Sequence, residues 1–143
     1  MVSAPIVAKE CGIKVDEVKQ TRRGAYETYM PLTVKAADYE RSVAGTVFTD
    51  GKPRIIQVKG IELESDFGHH MLYITNNDKP GFIGNIGTLM GNAGINIACF
   101  HFGRVEAGGD AIGLVEVDVA VPQSVMDAVN KLPNVKQVKV LTF

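Results

Sequence analysis

The chain has 143 residues, 15 lysines and arginines against 16 aspartates and glutamates, and 45% hydrophobic residues. This is one domain or two small ones with enough apolar material for a core, and a net charge of -1 supplies no field to favour nucleic acid or an anionic membrane, so neither is expected as a partner. No apolar run nears the roughly 18 residues that span a bilayer, and the N-terminus lacks a basic segment followed by an apolar one, so a soluble, cytoplasmic protein is expected. Cys11 and Cys99 are far apart and lack CxxC spacing, which favours reduced, packed thiols over a disulfide or metal site.

In chain order, Ser3 to Glu10 reads as a short helix, with Ser3 as cap, Pro5 in the first turn and Gly12 as the stop. Strands are expected over Lys14 to Thr21, Thr28 to Ala36, Arg41 to Thr49 and Pro53 to Leu63, all of which carry β-branched residues. Asp50-Gly51 supplies a hairpin turn between the third and fourth. Glu64 to Gly68 is a polar, turn-forming join to the second half of the chain.

The second half predicts strand 70–77, helix 81–93, strand 95–105, a turn at Ala107-Gly108-Gly109, strand 110–119, helix 122–131 and strand 135–142. That order is β-α-β-β-α-β, the ferredoxin-like split pattern. Ile83, Ile86, Met90 and Ala93 form the expected inner stripe of the first helix, and Val125, Ala128, Val129 and Leu132 that of the second. Such a sheet leaves edge strands free, so edge pairing between chains is a cheap route to a dimer. The stretch Asn76-Asn77-Asp78-Lys79-Pro80-Gly81, answered by Gly94-Ile95-Asn96-Ile97, has the character of a small-molecule receptor. Unpaired N–H groups at the start of a helix suit an anionic group, and Asp78 with the nearby Asn side chains suits a cationic or polar one. A zwitterionic amino acid offers both.

Asp78-Lys79-Pro80-Gly81, running through Ile83-Gly84 and Gly91-Asn92-Ala93-Gly94-Ile95-Asn96-Ile97 to Gly103-Arg104, resembles an ACT domain, the amino-acid-sensing module of many metabolic enzymes. The match covers about residues 70–143. Ser3 to Ile13 and Arg41 to Phe48 resemble the intervening regulatory domain of long-form D-3-phosphoglycerate dehydrogenases. The resemblance implies an α+β chain with a partial intervening domain, a helix plus an antiparallel sheet, over 1–66 and a ferredoxin-like βαββαβ ACT domain over 70–143. It also implies that the earlier part of the intervening domain and the nucleotide-binding and substrate domains are missing.

By this resemblance, the chain is a non-catalytic, effector-binding and oligomerising fragment of a dehydrogenase that oxidises 3-phosphoglycerate. It needs no cofactor of its own, NAD belonging to the missing part. The implied effector is L-serine. Asp78 would pair its ammonium, backbone N–H groups of Gly81, Phe82 and Ile83 would face its carboxylate, and Asn76 and Asn96 would complete the site, Asn96 from a neighbouring chain in a homodimer or tetramer. Asn76 stands where some relatives carry His or Tyr, which widens the implied effector to small amino acids. Arg54, with Arg41 and Lys59, marks a possible anion site in the front half. Against that site, Asp66 and Glu116 fall near positions where other members carry arginine, and opposite charge there would repel a phosphate.

Other chemistry is weaker. Gly81, Gly84, Gly87, Gly91 and Gly94 contain neither GxGxxG nor a GxxxxGK[ST] loop, so nucleotide binding is not supported. Glycines inside a helix cost up to about 1 kcal/mol each, so close approach of sheet, ligand or partner chain is expected there. His69 and His70 would point to opposite sides of a strand with His101 remote, which argues against a metal site. Two alternative readings stand beside the dehydrogenase fragment. One is the regulatory part of an iron-sulfur L-serine dehydratase, although two distant cysteines cannot hold a cluster here. The other is a ligand-free assembly module.

Overall fold

A computed structural model describes residues 3–18 and 28–143. The described residues form an α+β structure of three helices and two antiparallel four-stranded sheets. Helix α1 (Ala4–Glu10) has Pro5 in its first turn, and the chain leaves it through Gly12 at a positive φ of 71°. Ser3 occupies the cap position without a side-chain hydrogen bond, so the helix start rests on proline geometry.

The front sheet is a meander of β1 (Met30–Lys35), β2 (Glu40–Val47), β3 (Pro53–Val58) and β4 (Ile61–Ser65) in sequential order. The expected strand over Lys14 to Thr21 is irregular from Lys14 to Val18, and its remainder lies outside the described residues. Asp50-Gly51 makes the β2–β3 turn, with Gly51 at φ 78° and the Asp50 carboxylate accepting from the Lys52 N–H at 2.9 Å. The single strand expected over Pro53 to Leu63 is two strands. Lys59 and Gly60 both take positive φ, 52° and 80°, and fold β4 back on β3 in the manner of a two-residue hairpin.

The second sheet contains β5 (His70–Asn77), β6 (Ile97–Arg104), β7 (Asp110–Val117) and β8 (Val135–Thr142) in the order β6-β7-β5-β8, all antiparallel. With α2 (Phe82–Asn92) and α3 (Gln123–Asn130) this is the ferredoxin-like βαββαβ arrangement. Leu72, Ile74, Val115 and Val117 meet Ile86, Met90, Met126 and Val129 between the sheet and its helices. Each such side chain, fully buried, contributes about 1.5–3 kcal/mol.

The inner stripe of α2 differs from the expected one. Phe82, Ile86 and Met90 are buried while Ile83 is 55% exposed, because the helix begins at Phe82 and its i, i+4, i+8 row faces the sheet. On α3, Met126 joins Val129 as a buried residue.

The opposite face of the second sheet is covered by the front sheet. Ile55, Ile61 and Leu63 pack with Met71, Ile112 and Leu114, which explains why β5 and β7 are apolar on both faces. The close approach is sharpest at Gly103, where a Cβ would lie 2.3 Å from the Glu62 carbonyl oxygen. Gly84, Gly87 and Gly91 have no neighbour within 4 Å of an added Cβ, so none of the described residues makes the close approach expected at those helix glycines.

Cys11 and Cys99 are free and exposed rather than packed. The His69 and His70 rings lie 4.5 Å apart. His69 precedes β5, so strand alternation does not separate them. No helix among the described residues is long and apolar enough to cross a membrane.

Candidate functional site: the loop between strand five and helix two

The chain leaves β5 into a loop that two backbone hydrogen bonds pin in place. The Asn77 N–H donates to the Asn134 carbonyl at 2.9 Å, and the Asp78 N–H donates to the Gly109 carbonyl at 2.8 Å. Gly81 then turns the chain at φ 92°, a conformation for which glycine alone has no steric penalty, and α2 starts at Phe82. The result is an open groove of about 510 Å³ between this loop and the β6–β7 hairpin. Pro80, Phe82, Ile83 and Phe102 give it apolar walls, and Asp78, Lys79 and Arg104 bring charge.

Asp78 accepts a hydrogen bond from the Arg104 guanidinium at 2.6 Å and a longer one from the Gly108 N–H at 3.4 Å. The Arg104 hydrogen bond is the main reason that the Asp78 carboxyl is held below the ordinary carboxylate range. Its side chain is only 19% exposed against 54% for Arg104. The first turn of α2 adds N–H groups with no partner inside the helix, and these form the positive end of its dipole.

Of the residues expected here, Asp78, Gly81, Phe82 and Ile83 line the groove. Asn76 does not. It is fully buried on the face of β5 shared with Leu72 and Ile74, with its Nδ2 donating to the Asn77 carbonyl at 2.9 Å and its Oδ1 unpartnered among the described residues. Asn96 is exposed and donates to the Asp118 carboxylate at 2.8 Å. It precedes the first residue of β6, whereas the groove lies at the last, Arg104. Eight strand residues separate the two ends, roughly 25 Å at about 3.3 Å per residue, so Asn96 and Asp78 do not meet within one chain.

No local pattern in the sequence assigns Arg104 a role. Its motif was visible, but the hairpin that carries it back to Asp78 brings together residues 26 apart, a pairing with no local signal.

The front-half basic residues separate into two places. Arg54 pairs with Asp66 at 2.8 Å and with Asp50 at 3.4 Å, has Glu64 at 3.9 Å, and lies 4.5 Å over the Phe48 ring. Three carboxylates already surround it. Arg41 and Lys59 lie at the far end of the same strands, beside a small groove of about 240 Å³ floored by Leu32, Val34, Val43 and Val58. Lys59 has its ammonium pKa pushed down by burial first and by Arg41 second. Glu116 lies against Gly68. Among the described residues no three histidine, cysteine or carboxylate side chains gather as metal ligands.

Residues 1–59 match the family model of the D-3-phosphoglycerate dehydrogenase intervening domain. Across its full length the chain is 33% identical to the D-3-phosphoglycerate dehydrogenase of Methanocaldococcus jannaschii, of which it covers 27%. The chain is a relative of the D-3-phosphoglycerate dehydrogenases. A second such dehydrogenase, from Synechocystis sp., is 32% identical over 94% of this chain, which covers 24% of it. The chain thus spans about a quarter of the length of these curated relatives. It is also 25% identical over 92% of its length to a probable L-serine dehydratase beta chain of Bacillus subtilis, of which it covers 60%.

Proposed function

We propose that this chain is the regulatory, amino-acid-binding and oligomerising part of a D-3-phosphoglycerate dehydrogenase, with ACT-type effector binding at the β5–α2 loop. The observation that carries this reading is the groove itself, which is lined both by a shielded carboxylate, Asp78, and by the residues that open α2. A small α-amino acid matches both, ammonium to Asp78 and carboxylate to the helix start. The parent enzyme would use NAD to oxidise 3-phosphoglycerate, and L-serine as effector would report the level of the end product.

Asn96 enters this reading across a two-fold interface. β6 is an edge strand of its sheet, and from Ile97 to Gly103 it carries no carboxylate, lysine or arginine, so it lacks the charges that usually protect an edge. Pairing two β6 strands antiparallel would bring the partner's Asn96 end beside the groove end of the first chain. A ligand bridging the two would favour whichever arrangement closes the bridge, and coupling of about 1–3 kcal/mol suffices for regulation.

The test is an amide NMR titration of the purified chain with L-serine. The proposal expects shifts concentrated at residues 78–84 and 96, growing with dimer population. Shifts absent from the loop at millimolar ligand would remove the effector reading. A second reading, the regulatory part of an L-serine dehydratase, is favoured by the larger share of that relative covered. The coding sequence flanking this chain separates the two.

A further inference from the structure

The carboxylate that should receive a ligand ammonium already holds an arginine, on its Oδ2. Arg104 holds Asp78 through one nitrogen and one oxygen, at 2.6 Å, and its remaining N–H groups have no protein acceptor among the described residues. A two-pronged guanidinium–carboxylate pair would be stronger and more specific; this one is single-pronged and sits on a half-exposed arginine.

We infer that Arg104 is an internal stand-in for the ligand ammonium, and that binding is an exchange of partners which makes the groove selective for zwitterions. The inference rests on the amino-acid reading of the groove. An arriving ammonium takes Asp78. The released guanidinium, still tethered at the end of β6 on the groove wall, takes the ligand carboxylate. One internal ion pair becomes two ligand ion pairs, and no charge is left alone.

Charge counting gives the selectivity. The groove holds Asp78 against Lys79 and Arg104, one negative charge against two positive. A zwitterion leaves that balance unchanged. A simple amine adds a third cation and draws Asp78 away from Arg104, while a simple carboxylate can take the free N–H groups of Arg104 but brings nothing for Asp78. Each makes only one of the two ion pairs that the zwitterion makes.

The experiment uses the whole chain and its Arg104→Gln and Arg104→Lys variants, titrated by NMR with ethanolamine, L-serine and 3-hydroxypropanoate. Arg104→Gln should bind ethanolamine about tenfold more tightly than the unaltered chain, because Asp78 is vacated, and L-serine should lose most of its advantage over ethanolamine. Arg104→Lys should keep the selectivity for the zwitterion, and the unaltered chain should show the Arg104 Nε–H signal moving at lower concentrations of L-serine than of ethanolamine.

Equal ethanolamine affinity with and without the arginine would overturn the inference, as would undiminished zwitterion selectivity in Arg104→Gln. If the unaltered chain ignores L-serine while Arg104→Gln binds ethanolamine at the loop, the stand-in role of Arg104 survives and the effector reading fails. If L-serine binds equally well with and without Arg104, the effector reading survives and the exchange fails. If ethanolamine does not bind even in Arg104→Gln, Asp78 is not an ammonium site and both fail.

Discussion

Replacing Gly103 by alanine tests whether the front sheet packs on the second one as described. The new Cβ would stand 2.3 Å from the Glu62 carbonyl oxygen, 2.9 Å from the Ile61 side chain and 3.0 Å from the Leu63 Cβ. Carbon–oxygen contacts settle near about 3.3 Å, so β4 and β6 must separate by roughly 1 Å. The obstacle is backbone, held by the pairing of Glu62 with Gln57 on β3, and it cannot rotate away like the tip of a side chain. Overpacking of this kind costs about 1–3 kcal/mol. The alternative is for β4 to lift off and expose Ile61 and Leu63, now 6% and 8% accessible, at about 1.5–3 kcal/mol each. Local strain is therefore the cheaper response, and about 1–3 kcal/mol is the expected loss. Gly91→Ala is the control. Its Cβ meets nothing within 4 Å and it removes a helical glycine, so it should gain about 0.5–1 kcal/mol. Urea unfolding of the two variants should move their midpoints in opposite directions. A Gly103→Ala chain as stable as the original would refute the contact between β4 and β6.

Ile74→Ala, at a position with no solvent exposure, should cost about 2–5 kcal/mol in the same urea assay. Gly81→Ala has free space around its Cβ but a φ of 92°, so backbone strain alone should cost about 1–2 kcal/mol and shift the amide signals of the groove. Hydrogen bonds hold three carboxyls below the ordinary range, through the Lys52 N–H at Asp50, Arg104 at Asp78 and Lys136 at Asp110. The folded state therefore binds their protons more weakly. Their stabilisation is complete above the ordinary carboxylate pKa of about 4 and disappears as the pH falls below it through the lowered values. The melting temperature should fall on acidification below about pH 4, and Arg104→Gln should make that fall shallower. Burial raises the Tyr73 hydroxyl pKa, so ultraviolet titration should find a Tyr73→Phe-sensitive phase above the ordinary tyrosine range, near pH 10.

Much of the second half was legible because its signals are strong and local. The apolar run His70–Asn77, the Gly94 stop and the Pro122 start each mark a boundary through backbone chemistry, and the sheet order follows from the βαββαβ sequence. The β3–β4 hairpin was missed because its turn is Lys59-Gly60, with a lysine in a conformation usually given to Asn, Asp or Gly. Alternation of Ile61 and Leu63 with Glu62 and Glu64 shows that β4 has an apolar face, but nothing in five residues says which surface that face covers. At the groove, Asp78 was found because a carboxylate at a strand–helix junction is a local pattern. Asn76 belongs to the same stretch, yet it sits two residues beyond Ile74 and so shares its buried face. Arg104 depended on hairpin register, which a linear pattern does not disclose.

The central claim is a small-amino-acid site at Asp78, and calorimetric titration of the chain with L-serine tests it most directly, with glycine, D-serine and the Asp78→Ala chain beside it. The account predicts saturable, stereoselective heat that disappears in Asp78→Ala. Heat that is absent at millimolar ligand, or that persists unchanged in Asp78→Ala, would contradict it.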